Sequence, residues 1–184
     1  MSGSHPREHT PNNLAAWSVI PSALPEREAV GAIHVYDFDG TLFVSPRPNP
    51  KLWNESTLGN LASPTWLSNG GWWQDSRILA AAGHGLGDGK AFSWDGWWNE
   101  HVVDLVRLSM QQKDALTVLL TGRSAKSLRS LIPMILNSKQ LAFDMIVLKP
   151  DVMPNGIKPH NVIGYKCLFL EDLLNTYREA KELR

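Results

Sequence analysis

Two carboxylates stand two residues apart in Asp37-Phe38-Asp39-Gly40-Thr41-Leu42-Phe43. In a continuing strand such neighbours point the same way; where the chain leaves a strand, both can face one crevice. Burying the pair is costly unless a cation neutralises it. Mg²⁺, a hard ion that seeks oxygen, suits Asp37 and Asp39 as metal ligands. One carboxylate can then attack phosphorus while the other handles the proton of the leaving group. Gly40 lets the backbone turn close to a ligand. The same Asp-x-Asp-Gly pattern also fits a capped turn without chemistry. A second candidate is Leu120-Thr121-Gly122-Arg123. A hydroxyl followed by glycine and a helix start suits phosphate contact, and also a plain N-cap turn.

The elements that must position these residues follow from periodicity. Residues 31–38 and 115–120 read as buried strands, the first stopping at Asp39-Gly40 and the second broken by Gly122. A third strand is expected at 143–148. Residues 97–112 suit a helix whose inner face is Trp98, Val102, Leu105 and Val106. Ser124 can cap a helix over 125–139, which Pro133 would kink. A last helix is expected over 166–182, with Leu170, Leu173, Leu174 and Tyr177 inward. Residues 1–30 read as a loose leader from which Trp17, Val19 and Ile20 dock. Alternating apolar strands and helices imply an α/β fold with a doubly wound parallel sheet. In such sheets the ligand crevice lies at the carboxyl ends of the strands, where both candidate motifs fall.

Together the two motifs resemble the haloacid-dehalogenase (HAD) superfamily of phosphohydrolases. Asp37 to Leu42 matches its first motif, and Thr121 in Leu-Thr-Gly-Arg its second. The resemblance implies a HAD-like Rossmannoid domain over 31–184, with a small irregular Trp-rich cap at about 44–96, after the first strand. It implies Mg²⁺-dependent chemistry through an aspartyl-phosphate. Asp37 is then the nucleophile, Asp39 the general acid/base with its carbonyl on Mg²⁺, and Thr121 a phosphoryl contact. Gly40, Thr41, Gly122, Arg123 and Lys149 would line the substrate. The third-motif lysine is Lys149, Lys158 or Lys166; Lys166 is preferred because it opens the last helix, with Lys149 its rival. No fourth, acidic motif is found: Glu171 and Asp172 fall inside a helix and Asp151 in a loop. The chain is therefore expected to stop just before its last catalytic strand, or to have lost it. Leu52-Trp53, Gly70-Gly71-Trp72-Trp73, Trp97-Trp98-Asn99, Phe143-Asp144 with Leu148-Lys149-Pro150, and Tyr165-Lys166 with Phe169-Leu170 narrow the resemblance. They point to the HAD domain of "Swiss Army Knife" RNA-repair-like proteins, which implies phosphorylated RNA ends as substrate.

Composition sets the outer limits. The 184 residues are 43% hydrophobic and 20% charged, enough for one domain with its own core. The single cysteine, Cys167, excludes an internal disulfide. No apolar run approaches the roughly 18–20 residues of a membrane span, and residues 1–10 lack an apolar signal core. An intracellular protein is expected. Net charge is zero but uneven: 6 Lys+Arg against 11 Asp+Glu up to residue 106, then 12 against 7. A basic second half suits an anionic ligand, or simply solvated helices. Seven of eight tryptophans fall between 53 and 98. They can stack bases or form the core of an insert poor in regular structure. No His/Cys spacing suggests zinc, and His34 reads as a core histidine. Two rival functions stay open: a binding or regulatory domain without turnover, and a phosphatase of small metabolites.

Overall fold

The computed structural model of the chain describes residues 13–20, 30–63, 65, 70–83, 93–156, 161–178, 180 and 182–184. Five strands form one sheet: β1 (Ser18–Ile20), β2 (Ala32–Tyr36), β3 (Ala115–Ser124), β4 (Met145–Lys149) and β5 (Glu182–Leu183). Their spatial order is β1-β4-β3-β2-β5. Strands β2 to β5 are mutually parallel; β1 runs antiparallel along β4, with Val19 opposite Val147. The sheet is thus parallel as expected, except at that edge.

Both faces of the central strands are apolar, as a parallel sheet with covered faces requires. Leu116, Val118 and Leu120 of β3 face one way and Leu119 the other. On the Leu119 side pack α3 (Glu100–Met110), α4 (Ala125–Leu128) and α5 (Leu131–Ser138), through Val103, Val106, Leu128, Ile132 and Ile135. On the opposite side packs α6 (Val162–Thr176), through Tyr165, Phe169 and Leu173. Burial pushes the Tyr165 hydroxyl pKa up, and that hydroxyl has no hydrogen-bond partner among the described residues. The insert between β2 and α3 is not wholly irregular. It carries α1 (Glu55–Ala62), a 3-10 turn at Trp72–Gln74 and α2 (Ser76–Gly83).

Several expected boundaries move. Strand β3 runs through Gly122 to Ser124, with a register irregularity after Thr121, because Lys149 still offers a paired backbone there. The helix expected over 125–139 is two helices. The break at Arg129 and Ser130 puts Pro133 third in α5, where a backbone N–H would have no intrahelical acceptor. Helix α6 starts at Val162, a turn before Lys166, because Asn161 caps it by accepting from Gly164 N–H at 2.8 Å. It ends at Thr176, and Leu174, expected inward, is 40% exposed. Leu105 is likewise exposed, since α3 buries Val103, Val106 and Ser109 instead. A short strand, β5, adds to the sheet beyond β2. Glu182 and Leu183 lie beside Ala32 and Ile33, and the Arg184 backbone bonds Ile33 and Val35, both at 2.9 Å.

Within the leader, the described residues 13–20 dock on the body of the fold, with β1 paired to β4. Trp17 is buried, and its indole N–H donates to buried Asp172 at 2.9 Å; residues 1–12 and 21–29 lie outside the described residues. His34 is buried: Nδ1 lies 2.6 Å from Ser109 Oγ, while Nε2 has no partner among the described residues. No described helix is long and apolar enough to cross a membrane.

Candidate functional site

The segment after β2 is folded by its own backbone. Leu42 N–H donates to the Asp37 carbonyl, Phe43 N–H to that of Phe38, and Gly40 N–H to that of Phe43. Gly40 has φ +72°, a conformation that costs glycine little. Phe38, Leu42 and Phe43 are fully buried, and the Phe38 and Phe43 rings stack at 5.0 Å. Phe43 in turn bridges to Trp98. With the apolar residues anchored inward, Asp37 and Asp39 are left facing one cavity.

Each carboxylate meets a cation from a distant element. Asp37 Oδ1 is 2.8 Å from Lys166 Nζ on α6, and also accepts from Phe38 N–H. Asp39 accepts three hydrogen bonds from Arg123, two from Nε and one from Nη2 at 2.6 Å, and a further one from the Ser45 hydroxyl. Arg123 is 2% exposed, and its Nη1 has no hydrogen-bond partner among the described residues. Its guanidinium lies 5.7 Å from the centre of the Trp73 ring.

The insert closes over this arrangement. Gln74 clasps the end of β3, donating to the Gly122 carbonyl at 3.2 Å and accepting from Ser124 N–H at 2.7 Å. Gly71, at φ +85°, has no room for a side chain: a Cβ would lie 2.6 Å from the Ser63 carbonyl. The tryptophans divide. Trp94 and Trp98 are core. Trp72 donates to the Pro46 carbonyl, Trp53 is exposed, and Trp66 lies outside the described residues. Trp73 lines the cavity.

That cavity holds about 570 Å³. Of the expected site residues it gathers Asp37, Asp39, Gly40, Gly122, Arg123 and Lys166. Thr121 is fully buried beside it, its hydroxyl accepting from Arg123 N–H. Thr41 and Lys149 are not among the lining residues, and Lys158 lies outside the described residues. Sequence reasoning missed Ser45, Arg47, Trp73 and Gln74 as cavity residues. Only the tryptophan cluster hinted at one of them. Arg47, without an ion pair among the described residues, gives the cavity three cations against two carboxylates. The electrostatics favour an anion.

The residues do not by themselves make a Mg²⁺ site. Among the described residues no three His, Cys, Asp or Glu side chains gather to hold a metal. The two carboxylates proposed as ligands each hold a protein cation.

A parallel sheet with covered faces holds paired aspartates at the end of one of its strands, the place where Rossmann-like sheets bind their ligands. Residues 45–184 match the family described as HAD domain family 1 in Swiss Army Knife RNA repair proteins, and the chain belongs to that family. The match begins just after the Asp37–Phe43 turn. An uncharacterized protein of Saccharomyces cerevisiae is 30% identical over 181 residues, 94% of this chain and 37% of the relative. The chain thus spans little more than a third of that relative's length. No solved structure matches.

Proposed function

We propose that this chain is a phosphohydrolase domain acting on terminal phosphates of nucleic acid, RNA ends first. The observation that carries the reading is the meeting of Asp37, Asp39, Arg123 and Lys166 in one cavity at the strand ends. The scaffold is read as the doubly wound sheet of the superfamily, in an intracellular setting. RNA enters through the printed description of the family.

Asp37 attacks the phosphorus of a bound monoester; an aspartyl-phosphate forms as the ester P–O bond breaks. Asp39 supplies the proton to the leaving oxygen, then takes one from the water that hydrolyses the intermediate. Lys166, already on Asp37, offsets charge on the phosphoryl oxygens. Arg123 keeps Asp39 oriented. Family membership makes Mg²⁺ the ion to expect, while Asp37 and Asp39 each already hold a protein cation.

The test is phosphate release from a 3′-phosphorylated oligoribonucleotide in Mg²⁺ buffer. Asp37→Asn is expected to lower the rate by roughly a thousandfold or more. Release that survives this change overturns the mechanism. A second reading, binding without turnover, is favoured by the forked hold of Arg123 on Asp39, which competes with proton transfer. Tight phosphate binding with no multiple turnover would select it.

A further inference from the structure

We infer that Trp73 is the platform on which the terminal nucleobase stacks, which makes the ester taken by this site a nucleotide rather than a bare sugar phosphate. The inference rests on the phosphohydrolase reading and deepens it. A phosphoryl group needs only the charged floor around Asp37. The cavity, about 570 Å³, is within the range of roughly 300–1,000 Å³ typical of small-ligand sites. Beyond the floor its wall is apolar and aromatic: Val44, Ala62, Val162 and Trp73.

Trp73 differs from its neighbours in the insert. Trp94 and Trp98 are sealed in the core, and the indole of Trp72 is tied to Pro46. Trp73 is half-buried, lines the cavity, and its indole N–H has no acceptor among the described residues. A ring that only filled the insert would be buried like Trp94. The ring is also held in place in advance. Arg123 lies against it, and the next residue, Gln74, is fastened to Gly122 and Ser124. A single guanidinium separates the Trp73 ring from the Asp39 carboxylate. A base stacked there is therefore a short reach from a phosphate at the floor. Stacking on an indole tolerates any base, since every base offers a π-face.

The test uses the Asp37→Asn chain, which blocks turnover, and three probes: inorganic phosphate, ribose 3-phosphate and a nucleoside 3′-monophosphate. All three are expected to bind. The nucleotide should bind roughly five- to hundredfold tighter than ribose phosphate, the range that one base stack supplies. Adding Trp73→Leu should collapse that ratio towards one, and Trp73→Phe should keep part of it. Equal binding of nucleotide and ribose phosphate in the Asp37→Asn chain overturns the inference and needs no Trp73 variant to fold. So does a ratio that survives Trp73→Leu. If neither phosphate nor ribose phosphate binds, the phosphohydrolase reading falls along with it. If both bind and the nucleotide binds no better, only the stacking platform falls.

Discussion

Arg123 shows how much one side chain can organise. It grips Asp39 with two nitrogens, lies against Trp73, and keeps Nη1 buried without a partner among the described residues. Replacing it by methionine keeps much of the volume and leaves Asp39 facing an apolar neighbour. Truncating one partner of a buried ion pair costs about 3–5 kcal/mol. Asp39 is 28% exposed, so water recovers part of that, and Arg123→Met is expected to cost about 2 kcal/mol in urea unfolding. Arg123→Lys should recover only part, because an ammonium cannot make the fork. A methionine variant as stable as the parent would show that the pair adds nothing to the fold. At this scale the sequence was half legible. The aspartates announce themselves by spacing and Lys166 by its place after a loop. The partnership of Arg123 with a carboxylate 84 residues away leaves no mark in either local pattern.

Among the elements, the closest fit lies between the end of β3 and the start of α6. A Cβ on Gly122 would lie 2.6 Å from Val162 Cγ1. Gly122→Ala must therefore push α6, and Lys166 with it, away from the sheet. The expected loss is about 1–3 kcal/mol, as for other overpacked sites. Val162→Ala in the same chain should restore most of it, read from unfolding midpoints as a double-mutant cycle. Strain that persists in the double variant would place the cause elsewhere. Element types were largely readable from periodicity: β2, the first part of β3, β4 and α3 lie where apolar spacing put them. Their ends were not. Gly122 looks like a breaker in isolation, yet β4 continues to pair beyond it. Lys166 looks like a helix start, yet Asn161 supplies the cap five residues earlier.

For the molecule as a whole, β1 matters out of proportion to its three residues. It covers the outer edge of β4. Just before it, Trp17 packs its ring on Tyr165 and Phe169 while its N–H reaches Asp172. Deleting residues 1–20 would uncover an apolar strand edge, which invites pairing between copies, and strip a buried carboxylate of a donor. The shortened chain is expected to unfold at lower urea and to elute as oligomers or aggregate in size-exclusion chromatography. A stable monomer would mean that β1 is dispensable.

The insert has a different bearing on the molecule. The chain leaves the sheet at Tyr36 and rejoins the neighbouring strand at Ala115. The entropic penalty of closing such an excursion grows only logarithmically, about 0.6 kcal/mol for each doubling of its length. What covers the cavity can therefore be lengthened, shortened or exchanged at little thermodynamic penalty, while the paired aspartates stay fixed at the strand end. The same scaffold could acquire a new range of ligands by changing this one stretch of chain, provided a residue in the place of Gln74 still fastens it to the sheet.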